Sequence, residues 1–404
     1  MNGKRLGLVL FAGVIGIGLW SSRTIAETTV IEDVKEQVNV ITGNLVDFDV
    51  LVATDYFYSF NTPGDRQVPY TVIERAEEQF LLNDAFLQLR RMREDEDWGF
   101  TVNMDFGETA EVIAARDPNF TNDDNFELRE AFGIWKTPLA DITLKAGKFV
   151  TLLGYEVLKT PDNINHNITN SILFGYAIPF THVGMLANAP LGDYFSLDMG
   201  LVDGWDNYGD TSGAITFLGG LAIKPADIFS MYVAGTCGSD QNPINQGGVG
   251  TGSHRGVITL NAVLKATDAL TFVLDSVYGS EGRIGRNGTT AVWRGIAGYG
   301  VFDWEQFSFA FRAEVFDDPD GVRNFTNKTG DPVPATLWEI TPTVTFRVND
   351  HIVLRAEYRH DNADKNIFPI NERDLTAMQS SDPPNSQIGV AGSDLIGAEF
   401  LLLF

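Results

Sequence analysis

Apolar and polar residues alternate along many short segments of this chain, and this alternation limits its possible folds more than any other feature. Successive side chains of a β-strand point to opposite faces, so a period of two predicts a strand with two different faces. In FSFAFRAEVF (307–316), the odd-numbered residues from Phe307 to Val315 are apolar, whereas Arg312 and Glu314 lie on the other face. The repetition of this pattern along the chain predicts an all-β protein.

About sixteen alternating segments are predicted between residue 46 and the end of the chain. They lie at 46–60, 77–91, 98–109, 126–136, 142–152, 178–189, 194–205, 214–225, 229–238, 254–266, 270–281, 291–303, 306–317, 335–348, 351–362 and 393–404. The connections alternate between short turns and long loops, and each segment is long enough for a tilted membrane-spanning strand of roughly 9–11 residues. We therefore predict a closed antiparallel transmembrane β-barrel of about sixteen strands.

The chemistry of the two faces favours a membrane barrel over a water-soluble sandwich. A soluble sandwich turns its polar face to bulk water, where Lys and Glu are common. Here the apolar face is rich in Phe, Trp and Tyr, and the polar face mixes Thr, Ser, Asn and Gly with Arg and Glu. An aromatic outer band around a polar interior is typical of outer-membrane barrels. A secreted all-β binding protein is the alternative.

The chain ends in EFLLLF (399–404), an apolar run that soluble proteins seldom leave at a terminus. The even-numbered residues from Ile396 to Phe404 form a wholly apolar face. We expect this segment to pair with the first strand, because a closed sheet leaves no backbone group unpaired in lipid. The terminal Phe404 resembles the signal that the barrel-assembly machinery reads. Taken alone, the stretch also fits a strand of a soluble sandwich.

The first 26 residues have the features of a secretory signal peptide. Lys4 and Arg5 precede an apolar run from Leu6 to Trp20, and Ala26 ends a small-residue cleavage pattern. The run is short for a membrane-spanning helix, which needs about 20 apolar residues. We predict a signal peptide at 1–26, a lead-in at 27–45 and the barrel at 46–404.

Charge and the distribution of reactive residues exclude several functions. The formal net charge of −25 disfavours nucleic acid, since phosphate binding requires clustered Lys and Arg. The single Cys237 allows no intrachain disulfide. The five His residues are scattered, and we find no Ser–His–acid arrangement or metal-ligand spacing, so we expect no enzyme, metal or cofactor. The acidic stretches 317–321 and 361–366 are expected to be solvated, or alternatively to contact a divalent ion or lipopolysaccharide.

Two stretches resemble one known family. They are NITNSILFGYAIPFTHVG (167–184) and YFSLDMGLVDGWDN (194–207), with Pro-Phe-Thr-His at 179–182 and Val-Asp-Gly-Trp-Asp at 202–206. Together they resemble the OmpL-like β-barrel porin family of bacterial outer membranes. The resemblance implies a water-filled pore for passive diffusion of small hydrophilic solutes or ions, with outer-membrane lipid and lipopolysaccharide as surroundings. By analogy with general porins, a homotrimer is expected.

The long loop 153–177 follows the fifth predicted strand, in the position where general porins fold a loop into the lumen. By that position Glu156, Lys159, Asp162, Asn165 and His166 are candidates for a constriction, since rings of charged side chains set ion preference. The alternative is a loop that only caps the outside of the barrel.

Charged residues on the polar face of three successive strands are the second set of candidates for the pore lining. They are Arg312, Glu314, Glu339, Arg347, Arg355, Glu357 and Arg359. Cross-strand Arg–Glu pairs that stiffen the wall are the alternative to solute selection. The acidic balance suggests a mild cation preference. The rival to a porin is a plugged or structural barrel, anchoring or adhesive, without channel activity.

Overall fold

Sixteen antiparallel strands close into a barrel in the computed structural model of the chain. The structure describes residues 46–61, 68, 70–115, 125–209, 214–239, 254–285, 288–323, 333–368 and 389–404. One compact unit spans Asp49–Phe404, and a second spans Met1–Phe48. The predicted signal peptide and lead-in lie outside the described residues and stay predictions.

The strands follow one another around the barrel in chain order. They are β1 (Asp47–Ser59), β2 (Phe80–Met92), β3 (Trp98–Phe106), β4 (Phe126–Lys136), β5 (Thr143–Val150), β6 (Thr181–Leu191), β7 (Phe195–Val202), β8 (Thr216–Ala226), β9 (Phe229–Gly238), β10 (Arg255–Lys265), β11 (Leu270–Glu281), β12 (Ala291–Trp304), β13 (Phe307–Asp318), β14 (Ala335–Arg347), β15 (Ile352–Ala363) and β16 (Gly392–Leu403). All sixteen overlap the predicted segments, so the predicted fold class and strand number are confirmed. Two short helices, α1 (Glu108–Ile113) and a π-helical turn (Leu173–Ala177), lie in loops. Neither they nor any other described helix is long and apolar enough to cross a bilayer.

The C-terminal strand closes the barrel as predicted. β16 pairs with β1 in a register that runs from Leu51↔Leu403 to Ser59↔Leu395. The last residue takes part, since Phe404 N donates to Val50 O at 2.9 Å. Closure removes both sheet edges, which is the condition for placing a sheet in lipid.

Short turns and long loops lie at opposite ends of the barrel. The seven connections that follow even-numbered strands up to β14 are short turns, such as 227–228 between β8 and β9. The connections that follow odd-numbered strands are longer and include L1 (60–79), L3 (151–180), L4 (203–215) and L7 (319–334). In outer-membrane barrels the short-turn end faces the periplasm.

The outer face is apolar and carries exposed aromatic side chains near both ends. Near the short turns these are Trp98, Trp135, Tyr194, Phe195, Trp304 and Phe307, and near the long loops Phe80, Phe106, Phe126, Phe217, Tyr278 and Trp338. The charged residues predicted to face inward, from Arg312 to Arg359, are buried except Arg347. Aromatic bands at two interfaces match a membrane-spanning wall.

Pro342 does not divide β14, although the sequence suggests a bulge or two shorter strands there. The β13–β14 register passes through Phe311↔Pro342 without a shift. The β14–β15 ladder omits two pairs and resumes in the same register, with Ile340↔His360 before the gap and Thr343↔Glu357 after it. The missing N–H of proline therefore costs local pairing with β15 and leaves the strand intact.

Candidate functional site

The loop L3 lies inside the barrel, where its residues bond to inward side chains of strands on both sides. Tyr155 N donates to Asp275 Oδ2 of β11 at 3.2 Å, and Asn167 Nδ2 donates to Thr343 Oγ1 of β14 at 2.7 Å. Arg129 of β4 donates to Lys159 O at 2.8 Å. Of the two readings that the sequence allows, the described residues therefore support the inward-folded loop.

Glu156 and Arg312 form a central contact between L3 and the wall. Arg312 Nη1 donates to Glu156 Oε1 at 2.8 Å, and its Nε donates to Glu339 Oε1 on β14 at 2.6 Å. The other oxygen of Glu156 accepts Ser171 N at 2.8 Å, so the carboxylate also fixes the fold of the loop. Arg312 is 0% exposed. An arginine at this depth requires such charged partners, because an unpaired buried charge is costly.

Two glutamates of the wall hold the backbone of L3. Glu357 accepts Ile168 N at 2.6 Å and Thr169 N at 3.0 Å, and it also accepts the Thr169 hydroxyl at 2.6 Å. Glu314 accepts Ile172 N at 2.5 Å and Leu173 N at 3.2 Å, where the π-helical turn begins. Hydrogen bonds to a carboxylate are stronger than neutral ones. These two residues are therefore anchors for the loop.

Lys159 links L3 to the last strand and to L1. Its Nζ donates to Glu399 Oε1 of β16 at 2.7 Å and to Glu74 Oε1 of L1 at 3.2 Å. Burial alone lowers the pKa of Lys159, but Glu399 and Glu74 outweigh it and hold that pKa above its ordinary value. Burial raises the pKa of Glu74 in spite of Lys159. Arg355 contributes a second cation by donating to Glu399 Oε2 at 2.8 Å.

Apolar side chains of L3 pack against an apolar part of the inner wall. Leu153, Ile172 and Phe174 of the loop belong to one buried cluster with Trp293 and Val257 of the wall. Trp293 Nε1 donates to Ala177 O at 3.0 Å. Burial of these side chains adds an apolar contribution to the ionic anchoring.

The remaining predicted residues have different settings. Asp162 is exposed, and Arg347 is exposed near the short-turn end of β14. His166 is half-buried, with Nε2 at 2.9 Å from the Tyr155 hydroxyl, and burial together with nearby Arg355 lowers its pKa. Arg359 is buried, bonds Asp361 and donates to Asn170 O at 2.8 Å. Asn165 is buried, and its carbonyl accepts Arg355 Nη2 at 2.7 Å.

Apart from Asp162 and Arg347, the loop and strand candidates thus all make contacts inside the barrel, either within L3 or between L3 and the wall or among wall residues. Sequence reasoning missed Glu74, Arg129 and Asp275. Asp275 lies on the face of β11 opposite Phe272, Leu274 and Tyr278, so the sequence pattern of this strand indicates that it points inward. Glu74 lies in L1 and carries no periodic signal. In β4 a register shift opposite Asn103 and Asp105 brings both Arg129 and Glu130 inward, which simple alternation excludes.

The two motif stretches contact each other where L3 ends and L4 begins. Asp206 Oδ1 accepts Phe180 N at 2.7 Å and Thr181 N at 2.9 Å. His182 Nδ1 lies 2.8 Å from Gly204 O, and its Nε2 lies 3.0 Å from Thr151 Oγ1. In the described residues these motif side chains hold loop ends together.

The charged groups of the described interior are mostly acidic and form no metal-ligand cluster. Among the described residues, no cluster of three or more His, Cys, Asp or Glu is placed to hold a metal ion. The buried acidic side chains of the described chain outnumber its buried basic ones.

Comparisons with known proteins agree with this architecture. The family described as “Putative beta-barrel porin-2, OmpL-like” matches residues 46–392, and the chain belongs to this family. Family and fold are those of channel-type barrels of the Gram-negative outer membrane, which indicates a protein without enzymatic activity. No curated protein matches the sequence.

Solved outer-membrane proteins share the fold at low identity. The outer membrane channel DcaP of Acinetobacter baumannii superposes with a TM-score of 0.55 at 11% identity, covering 89% of this chain and 97% of DcaP. OprB of Pseudomonas putida gives a TM-score of 0.54 at 8% identity, covering 91% and 96%. OmpF of Salmonella typhi, solved with daunomycin, gives 0.50 at 12% identity, covering 88% and 97%. These likenesses concern the fold alone.

Proposed function

We propose that the protein is a porin that lets small hydrophilic solutes or ions diffuse passively through a lumen narrowed by L3. The observation that carries this proposal is the anchoring of L3 across the barrel by inward side chains, in a chain of a porin family. In this proposal L3 narrows the lumen but leaves it open, and the protein carries out no covalent chemistry. Selection is then steric and electrostatic.

The buried strand residues act as anchors in this proposal, and the solvent-facing edge of L3 acts as the filter. Arg312, Glu314 and Glu357 fix the loop. Asp162 is exposed and is the loop acid best placed to meet solutes. The acidic excess of the described interior favours a cation preference. We further expect export by the signal peptide, assembly through the Phe404 strand, contact with lipopolysaccharide, and a homotrimer.

Single-channel recording tests the proposal. The mature chain is refolded into a planar bilayer, and conductance and reversal potential are measured in a KCl gradient. Steady ohmic openings with a cation-selective reversal potential are the expected result. Anion selectivity would reject the cation preference but would still support the proposal that the protein forms a pore.

A plugged barrel without channel activity is the second candidate, and the dense burial of L3 favours it. Arg312 and Arg359 are 0% exposed beneath the loop, and the loop also packs in an apolar cluster. A barrel that is folded and shifts on gels when boiled, yet stays silent in the bilayer, is the result that supports this candidate and ends the porin proposal.

A further inference from the structure

A patch on the inner wall of β4 to β9 lies apart from the anchoring network of L3. We call Phe132, Lys145, Asn188, Asp198 and Tyr232 the inner-wall patch. Lys145 and Leu186 are register partners on β5 and β6, and Leu186 is buried on the inner side. Asn188 and Asp198 are register partners on β6 and β7. The patch therefore belongs to the lumen side of the wall.

Lys145 is held by aromatic rings instead of a carboxylate. Its Nζ lies 4.3 Å from the ring centre of Phe132 and 5.6 Å from that of Phe149. In the described part of the chain it forms no ion pair within 4.0 Å, in contrast to Lys148, which pairs with Glu127. The side chain is half-buried. Ring faces leave most of the charge of an ammonium group uncompensated, so Lys145 can accept an anionic group.

Asp198 is the complementary half of the patch. Its Oδ1 accepts Asn188 Nδ2 at 2.8 Å, and its Oδ2 accepts the Tyr232 hydroxyl at 2.9 Å. Both donors are neutral, and within the described residues no base contacts the carboxylate. A carboxylate has about four acceptor positions, so it can accept a further donor from a solute.

The spacing of the two charges suits a ligand that carries both signs. Lys145 of β5 lies opposite Leu186 of β6, and Asp198 of β7 lies opposite Asn188, which is two residues further along β6. Strand geometry then separates their Cα atoms by on the order of 12 Å. Glu130 is a second nearby acid, whose oxygens accept Val150 N at 2.9 Å and Asn103 Nδ2 at 2.6 Å, so the test must separate it from Asp198.

We propose that the inner-wall patch binds small zwitterionic solutes, with the carboxylate at Lys145 and the ammonium group at Asp198. This inference rests on the proposed porin function and names a solute class for it. A small amino acid bridges Lys145 and Asp198, between which the wall itself forms no ion pair. Binding is weak and reversible, as conduction requires.

γ-Aminobutyrate is a suitable probe, with erythritol as a neutral solute of similar size. In single-channel recordings of the refolded mature chain, γ-aminobutyrate should reduce the KCl current in a saturable way, whereas erythritol should not. K145M and D198N should each raise the half-blocking concentration about threefold, the range of a partly solvated charge pair. K265M is the matched control, because Lys265 is an exposed lysine at the short-turn end of β10.

Calorimetric titration of γ-aminobutyrate into the detergent-refolded barrel gives the same comparison without conductance. Weaker binding to K145M and D198N than to the wild type and K265M supports the inference even if the barrel is silent. Equal binding by all four proteins overturns it, and so does binding lost in E130Q but kept in D198N. Steady KCl openings together with either of these results reject the zwitterion site and leave the porin proposal standing.

Discussion

Buried arginines are the residues on which the interior of this barrel depends most. Arg312 contacts Glu156 of L3 and Glu339 of β14 through different nitrogens. The planar guanidinium group suits this bridging role, because it presents several donors in fixed directions. The alternation along β13 predicts that Arg312 faces inward, but its partner Glu156 is 156 positions away in the chain. The local sequence shows which face of a strand a residue lies on, but it does not show which distant residue that side chain contacts.

Arg312→Met should strongly destabilise the barrel. The substitution leaves Glu156 and Glu339 buried without the cation that contacts both, at a cost of about 3–5 kcal/mol. We expect the temperature of the heat-dependent gel shift to fall. Arg312→Lys keeps the charge and should lose less.

Arg347→Met is the matched control for that variant, because Arg347 is an exposed arginine on the neighbouring strand. Its effect should stay within about 0.5 kcal/mol. Equal shifts for R312M and R347M would contradict the assigned role of Arg312.

At the scale of elements, the strands were predictable and the path of L3 was not. Predicted and observed strands agree closely at both ends, as for 229–238 and Phe229–Gly238. Each strand is indicated by an alternation of apolar and polar residues along its own length. The inward course of L3 depends on contacts such as Ile168 N with Glu357, 189 positions apart. No local pattern encodes such a contact.

Glu357→Gln should loosen L3. The carboxylate accepts three bonds from the loop and one from Thr343 Oγ1 at 2.6 Å, and a glutamine amide turns its NH₂ group toward some of these donors. Each lost charge-assisted bond costs about 1.5–3 kcal/mol. We expect higher and noisier conductance than in the wild type. Trypsin should also cut more readily after Lys159, which is buried in the loop.

Glu305→Gln provides the comparison, since Glu305 is an exposed glutamate in the turn between β12 and β13. Its conductance and trypsin sensitivity should match the wild type. Wild-type behaviour of E357Q in both measurements would show that Glu357 does not hold the loop.

At the scale of the whole described barrel, one inversion organises the structure, with apolar groups outside and charged groups inside. The acidic composition, which in isolation suggests a solvated surface, is in part an interior property, as buried Glu156, Glu314 and Glu357 show. The composition of the two faces predicted this inversion correctly. It could not predict how densely L3 and the described part of L1 fill the lumen, because packing inside a barrel depends on residues from every strand at once.

The lipid-facing wall should tolerate charge according to depth. Phe307 and Phe311 both face outward on β13, and Phe307 lies at the short-turn end while Phe311 lies four residues further into the strand. Arginine costs about 2–4 kcal/mol near the bilayer midplane and about 0–1 kcal/mol near an interface. Phe311→Arg should therefore lower the stability of the barrel in lipid vesicles much more than Phe307→Arg, measured by urea unfolding. Equal losses for the two variants would mean that this face of β13 does not meet the membrane core, whereas the graded loss fixes the position of the barrel along the membrane normal.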